Sequence, residues 1–588
     1  MKQRINLFKC FLGISFVIGL YGCAKNDSEI IIQHEDFYQY GELATDYSNA
    51  VYHIGADVWM TPQPDPYTLD NFQRAYDNIS QGITNQNITR VEQNEFDNSH
   101  KLAATHYALK IYPKNENEQW KIERLEDVKV AYIPFNYVQL PDDVEIKNMS
   151  LTRSTENTFS ESNIHTITYE DALTSDGTIV NETYNLPILY AIWPCSKPLP
   201  EDIEYVLDYE VFLPRTYMET RCGTFSEDAM YILENEAIAL ALGRAHESRQ
   251  ITRSNPVITL RGRSVYYDTF VERHIPQKNL KFRFQLGSNI WDTYTQSDGC
   301  FSITEAIPTT ATVSIMYQHP YWKITRESST SPHVTSFGTV ANWWGNDLSA
   351  EKLFYYGSSV PANALHSAVD FYYNGAHSIR TWMYENDGIR VIVMETSDSD
   401  GAAGSFVYSK NSRAYIKIYK TNLSESNQLA GTIFHEFGHF THFGERGGYT
   451  GSAYNGFVGV NNGLKESFAS YIGNYIAETY YKNLGYTKQS DSESICYQSR
   501  QSWYKTSDSM YTPLFVDLQD KYNQGTNSSL KPNDEIKNVP HSVMRRIAQE
   551  VTSWTQCRNI LEEYIGVYYT AEEFNNFISA YDYWFNNN

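Results

Sequence analysis

The chain is poor in cysteine, with seven in 588 residues and none in a CxxC pair, which argues against a zinc knuckle or a dithiol redox motif. Basic residues are also scarce. Lys and Arg number 47 against 70 Asp and Glu, and the formal charge of −23 would repel a phosphate backbone, so nucleic acid is not an expected partner. Proline (20) and glycine (32) are too few for a collagen-like or low-complexity chain. What is abundant is apolar and aromatic: 41% hydrophobic residues, 15% aromatics and 47 Tyr, against 20% charged residues. That is a globular composition, and at about 150 residues per domain the length suits three or four units.

Residues 1–22 read as a secretion signal. Lys2, Arg4 and Lys9 form a positive start, and the apolar run from Cys10 to Leu20, 11 residues long, is too short to span a bilayer. Loss of those three cations with the leader makes the charge −26. The run ends in Leu20-Tyr21-Gly22-Cys23, which resembles the lipobox of bacterial lipoproteins, although Tyr21 is an unusual occupant. The resemblance implies a diacylated Cys23 at the mature N-terminus and a solvated tether over residues 23–45. It also implies a lipid anchor in the outer membrane of a Gram-negative bacterium, at the cell surface or the periplasmic face. Cys195, Cys222, Cys300, Cys496 and Cys557 remain. An oxidising envelope permits pairs such as Cys195 with Cys222 or Cys496 with Cys557, and the connectivity is open.

Hydropathy patterning divides the rest into three, and the expected fold class is multidomain α+β. Residues 46–250 mix strand-like alternation (105–113, 127–135) with helical spacing (234–247), an α/β region of unknown role. The residues Asp65-Pro66-Tyr67 look like a helix entry. Residues 255–328 carry short β-rich runs at the spacing of a small β-sandwich. The stretch Thr295–Ile303 resembles a turn of the carboxypeptidase-regulatory or transthyretin-like sandwiches, in which Asp298-Gly299 forms a hairpin turn and Phe301 and Ile303 point inward. The Ser/Thr-rich stretch 326–338 reads as a linker. Residues 346–588 follow, with a mostly helical pattern from Asn538 to Phe585 that implies a helical lower subdomain.

This last region carries the chemistry. Within "QLAGTIFHEFGHFTHF" (428–443), His435, Glu436 and His439 form His-Glu-x-x-His. On a helix the two His share a face and can hold one metal, and Glu436 reaches a water bound to it; Zn2+ suits these donors. Helical spacing over 361–374 and β runs at 389–394 and 414–419 precede the motif. That order resembles the zincin metallopeptidases, and the resemblance implies that "AYIKIYK" (414–420) is a sheet edge able to hold substrate as an added strand.

A catalytic zinc usually has three protein ligands. The metzincin pattern fails, because His442 stands at its Gly and Glu445 at its third His. His442 lies two turns from His435, too far to share the ion, and reads as an outer, substrate-contacting or packed residue. Glu466 is the preferred third ligand. It sits in "LKESFASYIGNYIAE" (464–478), helical by pattern, with Ala469 and Gly473 on its face to permit close approach to the metal helix. This looks like the gluzincin arrangement, with a Gly-rich connection between the helices. The chain departs from it at Lys465 and Ser470, where that family usually has Asn and Asp, so no partner for the zinc-bound imidazoles is identified. Asp517 is the remaining candidate.

With this ligand set Glu436 is the general base of a zinc-dependent endopeptidase acting on extracellular proteins or peptides. Tyr471, Tyr511 and His541 are available to stabilise the oxyanion. Two alternatives stand beside this reading: a catalytically inactive binding lipoprotein on a zincin scaffold, and a glycoprotein- or mucin-directed peptidase. Asp398-Ser399-Asp400-Gly401 resembles the start of a calcium loop but lacks the glutamate at its twelfth position, so it reads as a polar turn.

Overall fold

A seven-stranded sheet carries the helix of the His-Glu-x-x-His motif on one face. In chain order its strands are β1 (Thr166–Thr174), β2 (Ile179–Asn185), β3 (Gln318–His319), β4 (Trp322–Arg326), β5 (Ile389–Val393), β6 (Gly404–Ser409) and β7 (Ser412–Ile418), and their spatial order is β3-β4-β5-β7-β6-β1-β2. Four helices matter to the site's side of the sheet: α1 (Pro361–Asn374), α2 (Ser426–Glu445), α3 (Asn462–Asn483) and α4 (His541–Glu550). The computed structural model describes residues 51–53, 58–84, 88, 93–96, 100–139, 166–174, 179–220, 225–243, 259–327, 329–344, 347–356, 361–375, 388–394, 403–409, 412–419, 425–447, 454, 457, 459–487, 512–521, 535–565 and 568–587. The leader, Cys23, the tether, Cys222, Cys496, the Asp398–Gly401 turn and Tyr511 lie outside them.

Side chains alternate along each strand, as the pleat requires. Ile324, Val391, Phe406, Ile416 and Ile418 belong to the large core that includes α1, α2 and α3, whereas Ile392, Val407 and Tyr415 join a second cluster with Ala172 and Tyr184 of the β1–β2 hairpin. The strand expected at the edge is interior: β7 pairs in parallel with β5 and antiparallel with β6. Sequence reading missed β6, a six-residue strand bracketed by Gly404 and Ser409, because so short a run with turn-forming residues at both ends carries a weak signal. The outer side of β6 is in turn paired by β1, at Val407 with Thr174 and Tyr408 with Leu173.

The sandwich is present and takes strands from beyond its expected end. One sheet joins Leu260–Asp268, Arg273–Pro276, Cys300–Ile303 and Glu351–Tyr356; the other joins Lys281–Leu286, Asn289–Tyr294, Thr312–Met316 and Val334–Thr339. Phe282 and Phe301 stack between the sheets with centroids 4.1 Å apart. The stretch 326–338 therefore carries a strand, and β4, inside the expected sandwich, belongs to the seven-stranded sheet. Alternation identifies a strand but not its partner, which long-range packing chooses. Asp298-Gly299 does make a turn, with Gly299 at φ +78° and the Asp298 carboxylate accepting from Cys300 N at 2.9 Å. It joins strands of opposed sheets instead of closing a hairpin, and Phe301 and Ile303 are buried as expected.

Residues 46–250 contribute a four-stranded antiparallel sheet in the order Lys129–Ala131, Leu189–Pro194, His106–Tyr112, Glu204–Val211, together with helices Leu69–Ser80 and Glu227–Ala241. Thr68 caps the first helix by accepting from Asn71 N. Asp65 does more than open it. Buried, it accepts from Tyr67 N at 2.9 Å, Ser288 N at 3.0 Å and the Tyr209 hydroxyl at 2.6 Å, so it ties this region to the sandwich. One continuous apolar core runs through Tyr67, Phe282 and Phe437, linking all three regions. Cys195 and Cys557 are free thiols and Cys300 is disulfide-bonded, which overturns both pairings suggested above. Among the described residues no helix is long and apolar enough to cross a membrane.

Candidate metal centre

The motif residues lie on α2, a helix buried on nearly every side from Leu429 to Phe443. Its N-terminus is fixed from the sandwich by a reciprocal pair: Ser426 N donates to Thr269 Oγ1 at 2.9 Å, and Thr269 N donates to Ser426 Oγ at 3.0 Å. That exchange satisfies one of the amides a helix start leaves unpaired. On the α1 side Tyr372 stacks on Phe437 at 3.9 Å and its hydroxyl bonds the Thr441 hydroxyl at 2.8 Å.

The second helix of the site, α3, crosses α2 at backbone contact. A Cβ on Gly438 would lie 2.6 Å from the Ala469 backbone, and one on Gly473 2.9 Å from His435 N. Only glycine permits that approach, and it brings Glu466 to the imidazoles. Glu466 Oε2 is 3.3 Å from His435 Nε2 and 3.2 Å from His439 Nε2, with all three residues buried. These are close contacts without well-aligned hydrogen bonds, so the three donors converge on a common point. A tetrahedral zinc about 2.0–2.2 Å from each donor would hold its ligands roughly 3.3 Å apart, and the observed separations match. The residues fit the ion.

Electrostatics agree with a cation site. Burial alone would raise the Glu466 pKa, but the two imidazoles outweigh it and hold the carboxyl well below the usual range. Burial pushes Glu436 up to about 7, against the opposing field of His435. The Glu436 carboxylate accepts from Phe406 N of β6, while its Oε2 has no hydrogen-bond partner among the described residues. A buried carboxylate oxygen left open beside three converging donors is where a water would be activated.

Each imidazole is backed by a hydroxyl. The Tyr454 hydroxyl is 3.2 Å from His439 Nδ1, and Ser470 Oγ is 3.5 Å from His435 Nδ1. Ser470 thus meets an imidazole from the position where gluzincins usually carry Asp. Lys465, in the place of the usual Asn, packs its ammonium over the rings of Tyr454 at 5.2 Å and Phe457 at 5.8 Å. Tyr454 was missed by sequence reading, because it lies in the Gly-rich connection and no fixed spacing links it to the motif.

His442, Glu445 and Asp517 find partners other than the triad. His442 points its Nε2 at Ala548 O of α4, 3.1 Å away, and its ring packs against Tyr454, Phe457 and Phe468. Glu445 pairs with Arg545 at 2.7 Å. Asp517 is fully buried and accepts from the Tyr581 hydroxyl in the C-terminal helix Ala571–Asn587, outside the metal group. The Tyr471 hydroxyl bonds His541 Nδ1 at 3.0 Å, and its ring neighbours are Phe468, Tyr475 and His541, so these two candidates meet each other. No family model matches the chain, and no curated protein matches it significantly.

Proposed function

We propose that the chain is a zinc-dependent endopeptidase of the zincin type, gluzincin-like in its ligands, that hydrolyses extracellular proteins or peptides while held in the outer membrane by a lipidated Cys23. The observation that carries this reading is the convergence of His435, His439 and Glu466 at 3.2–3.3 Å, with Glu436 one residue along and its Oε2 open. Bound by those three side chains, zinc would supply the Lewis acid that acidifies a water and polarises the scissile carbonyl. Glu436 takes the proton of the attacking water and returns it to the leaving amine. Phe406 N–H holds one end of that carboxylate and so aims the other toward the water. A base is superfluous in a protein that only binds, and this favours the enzyme over the inactive scaffold.

The test uses the soluble chain from about residue 25. Zinc content is measured by mass spectrometry, and a random peptide library is offered to the unmodified protein and to Glu436→Gln. The expected result is one zinc per chain in both and cleavage by the unmodified protein alone, with the variant slower by at least about a hundredfold. Zinc without cleavage in either would favour the scaffold reading, and no zinc in either would remove both.

A further inference from the structure

We propose that Tyr454 is a positioning residue whose hydroxyl reverses its hydrogen bond to His439 when metal enters, and that the site therefore holds zinc exchangeably. This inference rests on the zinc reading above. Neutral imidazole carries one N–H. Without metal, the His439 proton is best kept on Nε2, 3.2 Å from the Glu466 carboxylate, and Nδ1 accepts from the Tyr454 hydroxyl, also 3.2 Å away. Ligation through Nε2 requires the lone pair there, so the proton must move to Nδ1 and be donated to the Tyr454 oxygen. A hydroxyl serves in both states by rotating about its C–O bond. A carboxylate could only accept, and would fix the metal-ready tautomer and make the ring a stronger ligand.

The surroundings suit this role. Tyr454 is 1% exposed, and its ring stands edge-on to Tyr408 at 5.1 Å and Phe443 at 5.5 Å, so the ring is held while the O–H can turn. The other imidazole is also backed by a hydroxyl, Ser470, but at 3.5 Å, the limit of a hydrogen bond. The group that faces Nδ1 of His439 is thus a hydroxyl and not a carboxylate.

The two states respond differently to losing the hydroxyl. In Tyr454→Phe without metal, Nδ1 loses only an accepted bond. With metal, it becomes a buried N–H with nothing to receive it, and folded proteins tolerate an orphaned N–H less readily than an under-satisfied acceptor. Zinc affinity of the full soluble chain is measured by competition with a chelator, and melting temperature with and without zinc. Tyr454→Phe is expected to weaken zinc binding by about 10–100-fold while leaving the metal-free melting temperature near that of the unmodified protein. Ser470→Ala should change affinity by less than about threefold, and Ser470→Asp should tighten it. A role in packing alone would lower both melting temperatures equally and leave the affinity unchanged, and that result overturns the proposal. If the Phe variant does not fold, an Asp variant at Ser470 that binds no tighter overturns it instead. Failure of the unmodified protein to bind zinc would remove the reading underneath, a distinguishable outcome.

Discussion

The two faces of the seven-stranded sheet are built on different physics. The face toward α1 and α2 is hydrocarbon, with Ile324, Val391, Phe406, Ile416 and Ile418 packed beneath a helix that carries the candidate metal group. The opposite face carries basic side chains on three strands: Lys323 on β4, Arg390 on β5 and Lys417 on β7. Each meets a glutamate from residues 46–250. Lys323 pairs with Glu123 at 3.4 Å, Arg390 approaches Glu116 at 3.1 Å, and Lys417 bonds Glu182. Glu116 and Glu123 lie at the two ends of one helix, Glu116–Glu123, and Glu182 lies on β2. Apolar packing tolerates substitutions of similar volume, but a buried charge must keep its partner. The N-terminal region is therefore the electrostatic complement of the sheet that carries the site, whatever else it does.

The comparison is broken most directly by expressing residues 346–588 alone. That piece lacks β1 to β4, the Thr269 contact that fixes α2, and all three glutamates. It is expected to be insoluble or to lack a cooperative melting transition by circular dichroism, whereas the chain from residue 46 melts cooperatively. A well-folded fragment would show that the basic face needs no cover. Next in size is Lys323→Met. Lys323 and the Glu123 side chain are 0% and 1% exposed, so removing the cation strands a buried carboxylate and should cost about 3–5 kcal/mol in urea denaturation. The double variant with Glu123→Gln should recover most of that loss, because the amide can still meet Tyr132 and Gln318.

The difference between the faces also explains what the sequence could reveal. His435, Glu436 and His439 were legible because one helix sets their spacing, and Glu466 because Ala469 and Gly473 mark a close crossing. The α1 helix was read to the residue, 361–374. Local periodicity reached those features. It did not reach β6, the exchange of strands between the sandwich and the metal sheet, or Tyr454, each of which depends on what another part of the chain places alongside. Nor could it reach the outer face. Glu123 and Lys323 are 200 residues apart, and each reads alone as an ordinary exposed charge.

The smallest expected effect separates the faces by pH. Burial would raise the Glu182 pKa, but Lys417, Tyr184 and Tyr415 together hold it below the usual carboxylate value. The folded state therefore binds its proton less readily than the unfolded chain. The stability this provides is complete above the unfolded value of about 4.3 and is lost as pH falls through the lower folded value. Glu182→Gln keeps the shape and removes the titration. Urea denaturation should find the variant less stable than the unmodified protein at pH 6, with the gap unchanged down to about pH 5 and narrowing from there toward pH 3. A gap that stays constant over that range would mean that Glu182 contributes through packing alone, and that the outer face differs from the inner one in composition but not in the forces that hold it.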